Sequence, residues 1–399
     1  MNRRQKLKGL FRTSIFRVIR RETDRIFASW ILLFTTTVGP AGVFFLVAWI
    51  FSAGVVRDLP VAVVDLDQSQ LSRKITRMVD ATPAARVIAN PLSLEEARSQ
   101  MMKGGTDAVL YIPQGLEKTV QRGGQEELAL YLNNTNVVKG GVLQSQLTTA
   151  LGMISGAIKV QTMVKSGMEP SLANKKAQPI RADLHLLYNP FGNYAYFLMM
   201  GLLPLLAVVF IFMGTSYSIG IEMKEGTSSE WLVAANDSTT VAIIGKLIPY
   251  IVLFFANMMV MNLVLIRVMG TPLNGSLAII LFSELLLILD YMAMAILLLT
   301  FTINLRLTLS LGSAYTMMAL TFSGLTFPAM GMPLIAKIFS WLFPYTFWLK
   351  VFLSQSLRGE PVHEAIGPLL MLIPFILTVL LAFPVFKKRL TDERWQTKK

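Results

Sequence analysis

Three sets of acidic residues in this chain have types and spacing that could do chemistry. Asp65-Leu66-Asp67 with Ser69 sets two carboxylates two residues apart at the end of a β-branched run, so both point to one side. Such a pair can hold a hard cation, or Asp67 or Ser69 can cap the helix that follows; capping is the favoured reading. Glu284 and Asp290 interrupt an otherwise apolar run, where carboxylates are expensive and commonly functional. Six positions apart on a helix, they lie about 120° apart around the axis and do not converge on one site. Glu222, Glu225 and Glu230 gather beside Trp231 and Leu232. Acidic groups on a short amphipathic helix with an apolar anchor suit docking into a groove on a protein partner, against the plainer alternative of a solvated loop.

Other chemistries lack raw material. There is no cysteine, so disulfides, thiolate catalysis and cysteine-ligated metal centres are excluded. The two histidines, His185 and His363, are far apart, which leaves little for a metal site or a Ser-His-Asp triad. No phosphate-binding G-x-x-x-x-G-K-[ST] sequence occurs, so ATP hydrolysis by this chain is not expected. The reading is therefore of no catalytic residues, no metal site and no cofactor held by the chain itself.

The elements that would position these groups are membrane spans. A bilayer is crossed by about 20 apolar residues in helical form. Uncharged runs of that order occupy Ile26 to Val56, Leu186 to Ile221, Leu247 to Ile266, Leu307 to Ala336 and Ala365 to Phe386. A sixth, from Ser276 to Thr302, is broken only by the two acids named above. Six spans are expected, and the composition, 53% hydrophobic with a mean hydropathy of +0.54, agrees. Residues 1–25 hold nine basic side chains against Glu22 and Asp24, which sets the amino end inside. Both termini are then cytoplasmic. The inside segments total 18 basic and 8 acidic groups, so much of the net charge of +13 lies on the cytoplasmic surface. That charge suits anionic lipid headgroups; no folded basic module is present to read nucleic acid. Leu7, Leu10, Phe11, Ile15, Phe16, Val18 and Ile19 alternate with arginines at helical spacing, the pattern of an amphipathic helix in the inner interface.

Residues 55–192 differ from the rest, with 15 basic and 12 acidic side chains. Strand patterns at Val61 to Asp65, Ala85 to Ala89, Ala108 to Ile112 and Leu128 to Leu132 alternate with helical ones at Gln68 to Ala81 and after Ser93, which is followed by Glu96 as in a capping box. A long helix follows from Val138 to Val164. The fold class expected is an α-helical integral membrane protein with six transmembrane helices and an α/β extracytoplasmic domain inserted between spans one and two.

At this point a resemblance enters. Glu222-Met-Lys-Glu225-Gly226-Thr227-Ser-Ser-Glu230-Trp231-Leu232, followed by Gly245-Lys246-Leu247-Ile248-Pro249, resembles the loop after the second span in permease subunits of ABC type-2 exporters. Ser323-Gly324-Leu325-Thr326-Phe327-Pro328, with Met332-Pro333 and Phe343-Pro344-Tyr345 behind it, resembles that family's outer-face segment between spans five and six. Val64-Asp65-Leu66-Asp67 and Ala108 to Pro113 resemble the external domain of the subgroup with a large insert. Many relatives carry a proline after the coupling helix where this chain has Ala235, so the helix could run further here.

The resemblance implies the following layout: 1–25 a cytoplasmic interfacial helix, 26–54 the first span, 55–192 the external domain, 193–386 spans two to six, and 387–399 a cytoplasmic tail. Within the fourth region it places a coupling loop at 218–246 and an outer-face segment at 324–364. Glu222, Glu225, Gly226, Thr227, Glu230, Trp231 and Leu232 would couple to a separate ABC ATPase subunit that carries the ATP and Mg. Ser323, Gly324, Phe327, Pro328, Pro333 and Pro344 would form the outer face. The implied protein is a permease in the bacterial inner membrane that moves a hydrophobic or amphipathic substrate outward. It would pair with a second permease chain, identical or related, and a periplasmic adaptor could continue the conduit. Asn257 and Asn262 are among the few polar residues of the spans. Two other classes compete: a transporter driven by an ion gradient, which Glu284 and Asp290 would serve, and a receptor or assembly scaffold in which the external domain is primary.

Overall fold

The computed structural model describes residues 3–177, 185, 187–189, 192–302 and 304–390, with side chains from residue 13 onward. The chain separates into two compact units, residues 1–54 with 187–399, and residues 55–186.

The first unit opens with α1 (Arg3–Ala28), then α2 (Trp30–Leu33), a π-helical turn at Phe34–Val38 and α3 (Gly39–Ile50). Ser29 interrupts the path; its side chain accepts from the Leu32 amide and starts a new helix. α1 therefore runs to Ala28, past the expected limit at residue 25, and the first candidate span begins at Trp30. Leu7, Leu10 and Phe11 have side chains outside the described residues. Ser14, Val18, Glu22 and Ile26, four residues apart, are all buried, so this part of α1 packs on protein with one face.

In the second unit, β1 (Leu59–Asp65), α4 (Gln70–Asp80), β2 (Ala85–Ala89), α5 (Leu94–Met102), β3 (Ala108–Ile112), α6 (Leu116–Gln121), β4 (Ala129–Leu132), α7 (Val137–Lys165) and α8 (Pro170–Ala177) follow in order. The sheet runs β2-β1-β3-β4, with β1 parallel to both neighbours and β4 antiparallel to β3. Val61 to Val64 are fully buried because both faces are covered. Val61, Val63, Leu110 and Ile112 face α4 and α7, while Ala62, Val64 and Val109 face α5. Ser69 caps α4 by accepting from the Ser72 amide. Asp67 caps α6 instead, its oxygens accepting from the Gly115 and Glu117 amides. Asp65 takes the amides of Asp67 and Gln68 and the Ser72 hydroxyl. Both carboxylates of the Asp65-Leu66-Asp67 pair are thus committed to the chain's own donors. Ser93 accepts from Glu96, whose carboxylate turns back to the Leu92 amide.

The first unit resumes with α9 (Tyr194–Glu225), α10 (Ser228–Ala234), α11 (Thr239–Leu263), α12 (Leu277–Thr302), α13 (Leu305–Phe322), α14 (Leu334–Ser340), α15 (Pro344–Leu353), α16 (Val362–Leu370) and α17 (Ile373–Leu390). Among the described residues five helices are long and apolar enough to cross a membrane: Trp30–Ile50, Tyr194–Glu225, Thr239–Val268, Leu277–Thr302 and Val362–Leu390. One of the six expected spans, the uncharged run Leu307 to Ala336, is not one helix. It ends at Phe322, where Ser323 turns the chain toward the left-handed Gly324, and α13 spreads Arg306, Thr308, Ser310, Ser313, Thr316 and Thr321 over 18 residues. α12 lies in the middle and packs against α9, α11, α13, α15 and α17. Its two acids differ in fate: Glu284 accepts from Asn262 Nδ2 at 2.9 and 3.1 Å, whereas the buried Asp290 finds no hydrogen-bond partner among the described residues. Asn257 donates to the Thr36 carbonyl at 2.7 Å, in the π-helical turn where the regular ladder is broken.

A buried charge network where α1, α9, α10 and α11 meet

α9 is 32 residues long, about 48 Å against a hydrocarbon core of about 30 Å, so its last turns have length to spare. It closes on Gly226 in the left-handed conformation (φ 75°), whose amide bonds back to the Glu222 carbonyl. Thr227 follows, its amide 3.0 Å from the same carbonyl, and α10 starts. α10 does not run on past Ala235. Asn236 and Asp237 both take positive φ (53° and 57°), which Asn and Asp tolerate, and Ser238 caps α11 through the Val241 amide. What was expected as one loop at 218–246 is a helix end, a short helix and a helix start.

Glu222 is fully buried and is the hub. Arg21 forks onto its two oxygens at 2.7 and 3.1 Å, Lys246 Nζ sits 3.1 Å from Oε1, the Thr227 hydroxyl donates to Oε2, and Arg25 pairs with Oε1. Lys246, also fully buried, reaches a second acid, Glu22 Oε2, at 2.6 Å. Tyr250 donates to Glu22 Oε1 at 2.7 Å. Two carboxylates and three cations from three helices thus share one buried cluster. For Arg21 burial works against the charge, but the hydrogen bond and proximity to Glu222 outweigh it and hold the guanidinium above its ordinary value.

Apolar packing surrounds the cluster. Trp231 is fully buried, donates Nε1–H to the Ala242 carbonyl at 3.1 Å, and lies under Lys246, whose Nζ is 4.9 Å from the ring centre. Val18, Ile219, Leu232, Phe386 and Leu390 complete this core; α17 therefore continues as packed helix into what was expected as a tail from 387, and residues 391–399 lie outside the described residues. Gly245 permits the close approach of α1: a Cβ there would stand 2.8 Å from Val18 Cβ. Arg17 extends the tie by donating to Asn236 Oδ1 at 2.9 Å.

The expected coupling residues therefore divide. Glu222 and Trp231 face inward and present nothing to another chain as they stand, because each is spent on contacts within the protein. Glu222 and Glu225 belong to α9, and only Glu230 lies on the short helix. Outward-facing groups are Glu225 and Glu230, with 53% and 73% of their side chains exposed, and Val233 at 66%. Glu225 pairs with Arg25 at 3.2 Å and Glu230 stands 4.0 Å from Arg21. Sequence reasoning missed Arg21, Arg25 and Lys246 as partners of Glu222, and Glu22 with Tyr250 as the far side of the same cluster. The available signal was a charge out of place: Glu22 among nine basic residues, and Lys246 directly before an uncharged run.

The outer-face residues fall in a second region. Ser323 donates to the Leu320 carbonyl and accepts from the Leu325 amide, Pro333 and Pro344 open α14 and α15, and Phe343 is buried against Phe322 and Tyr315. Around them Phe327, Met330, Leu334, Ile335, Ile338 and Trp341 are all more than half exposed. His185 and His363 are exposed, and His363 faces Glu364 at 3.4 Å. Among the described residues no three His, Asp or Glu side chains gather as a metal site would need.

A helical membrane unit of this kind, with an inserted α/β unit and a short helix between two spans, defines a multi-pass membrane protein. The family model of ABC-2 family transporter proteins matches residues 30–383, and the chain belongs to that family. It is similar to the probable multidrug ABC transporter permease YbhS of Escherichia coli strain K12 and to that of Escherichia coli O157:H7, each 26% identical over 206 residues. The match covers 51% of this chain and 54% of those relatives, so it spans about half the length of the proteins it resembles.

Proposed function

We propose that this chain is the permease subunit of an ATP-driven ABC exporter, multi-pass in the bacterial inner membrane with both termini cytoplasmic. A separate ABC ATPase docks on α10. The observation that carries this reading is the seating of α10 beside the last turn of α9: the inner side is locked by Trp231 and the Glu222 cluster, while Glu225 at the end of α9 and Glu230 and Val233 on α10 point out. A helix anchored on one side and acidic on the other transmits a partner's movement to α9 and α11 without melting. Family membership and the similarity to a probable multidrug permease support the same reading. A second permease chain, identical or related, and membrane lipid are the occupants proposed for the exposed apolar outer-face residues. The α/β unit is proposed to be extracytoplasmic, where a periplasmic adaptor could meet it. The substrate proposed is hydrophobic or amphipathic.

The test is capture of the ATPase by the full chain carrying Glu225→Lys with Glu230→Lys. Like charges placed at a complementary interface can cost several kcal/mol. Capture and ATPase stimulation should drop while membrane insertion is unchanged; unaltered capture would return this surface to an ordinary solvated helix. One observation favours a second reading, a transporter driven by an ion gradient: Asp290 is buried without a hydrogen-bond partner among the described residues. Transport in vesicles that follows an imposed proton gradient in the absence of ATP would establish that reading and remove the first.

A further inference from the structure

The α/β unit carries a groove unrelated to the charge network. α4, α6 and α7 enclose a cavity of about 620 Å³ lined by Leu71, Ile75, Leu116, Val120, Ile154 and Ile158. A second cavity of about 720 Å³ adjoins it, with Leu71, Val120, Ile158 and Thr162 lining both. The character changes along this length. Arg73, Lys74, Arg77 and Lys165 line the second compartment against a single acid, Glu117; at the apolar end Lys159 faces Glu126. None of the five cations makes an ion pair among the described residues, although Arg73 donates to the Gln68 carbonyl.

Two features of the sequence create this arrangement. On α4, Ile75 and Val79 are spent on the sheet, which leaves Leu71 half-buried at the groove and puts Arg73, Lys74 and Arg77 at its edge. On α7, Leu143, Leu147 and Ile154 reach the core, but by Ile158 the helix has outrun the sheet, so Ile158 and Met163 are only partly covered. The result is an apolar trough with a positive mouth. Each compartment lies within the roughly 300–1,000 Å³ typical of small-molecule sites, the first walled largely by apolar side chains and the second by charged and polar ones. An α-helix with its side chains is about 10–12 Å across and would rest on such a trough rather than fill it.

We propose that this groove binds a single-chain anionic amphiphile, its tail along Leu71, Val120 and Ile158 and its head among Lys74, Arg77 and Lys165. Cations that form no ion pair among the described residues favour an anion and disfavour a cation, and the half-buried aliphatic side chains Leu71, Val120 and Ile158 favour a chain over a compact polar ligand. The inference rests on this unit alone and stands whether or not α10 docks an ATPase.

The full chain in phosphatidylcholine nanodiscs, photolabelled with a diazirine derivative of dodecanoate, tests it. Peptide mapping should find label on α4, α6 and α7, and unlabelled dodecanoate should displace it. Dodecanol, which has the tail without the charge, should displace it at least about tenfold less effectively. Lys74→Glu with Arg77→Glu, at exposed positions, should cut labelling of these helices about tenfold or more, while Arg98→Glu on α5 leaves it unchanged. Label confined to the membrane spans, or equal displacement by dodecanol, overturns the proposal with no variant required. Displacement by a synthetic acidic amphipathic peptide at far lower concentration than dodecanoate would make the groove a protein-docking surface and would equally overturn it.

Discussion

Lys246→Met is the sharpest probe of the buried cluster. Lys246 lies 2.6 Å from Glu22 and 3.1 Å from Glu222, all three with no exposed side-chain surface. Two hydrogen bonds between charged groups are lost, worth about 3–6 kcal/mol together, and breaking a buried pair on one side costs about 3–5 kcal/mol. The damage falls unequally. Glu222 keeps Arg21, Arg25 and Thr227, whereas Glu22 keeps the Tyr250 hydroxyl and a guanidinium nitrogen of Arg21 at 4.0 Å. The penalty should therefore reside in Glu22. Adding Glu22→Gln to Lys246→Met should cost less than the sum of the two single changes, with a coupling of about 1–3 kcal/mol between the two sites. The assay is thermal unfolding of the wild type, both single variants and the double variant in one detergent at one scan rate, because membrane proteins unfold irreversibly and their midpoints depend on rate. A double variant equal to the sum of the singles, or a Lys246→Met midpoint like the wild type, would refute the reasoning.

Trp231→Ala should destabilise the membrane unit by about 3–5 kcal/mol, through a cavity and the lost indole hydrogen bond to the Ala242 carbonyl, and thermal unfolding should place it well below the exposed Glu230→Lys, which should unfold like the wild type. Gly245→Leu should dislodge α1 from α11, visible as faster proteolysis after the α1 arginines, since even a Cβ at this position meets Val18 at 2.8 Å. In the α/β unit, burial alone would raise the Asp67 carboxyl, but Ser69 and the amides of Glu117 and Gly115 lower it below its ordinary value. A depressed carboxylate contributes stability that is present above its unfolded pKa of about 3.9 and is lost as pH falls through the folded value. Acid unfolding of residues 57–190, followed by circular dichroism, should thus show a component below about pH 4 that Asp67→Ala removes.

The α/β unit was legible in sequence nearly strand by strand. Val61 to Val64, Ala85 to Ala89 and Ala108 to Ile112 are short β-branched or apolar runs bounded by turn residues, and local pattern decides such elements. The spans were legible by length, but Leu307 to Ala336 misled: absence of charge measures tolerance of lipid, not continuity of helix, and Ser323-Gly324 ends the helix without adding a charge. The acidic segment spanning the end of α9 and α10 was legible in a different measure. Glu222, Glu225 and Glu230 look alike in sequence, and which is buried depends on whether Arg21 and Lys246 arrive from helices about 200 and 24 positions away. No periodicity within the segment carries that information.

The placement of a charged cluster at this junction has a mechanical consequence. An apolar contact between α1, α9 and α11 would allow sliding, because dispersion and burial vary little with small shifts along a helix. A bidentate Arg21–Glu222 pair bound also to Lys246 does not, since its energy depends on distance and angle at several atoms together. Pulling Lys246 away leaves the buried Glu22 carboxylate without its close cation, so the cluster resists partial opening. On the proposed reading, a force applied at Glu225 and Glu230 is then delivered to α9 and α11 as one body, with α1 moving along. Replacing the cluster by apolar residues of similar volume, Glu22→Leu, Glu222→Met and Lys246→Met together with Arg21→Leu and Arg25→Leu, separates stiffness from stability. Such replacements are often neutral or stabilising for folding. The variant should thus retain its unfolding midpoint and still capture the ATPase, yet lose most ATP-dependent transport. Transport at the wild-type rate from a stably folded apolar variant would show that the network serves folding alone.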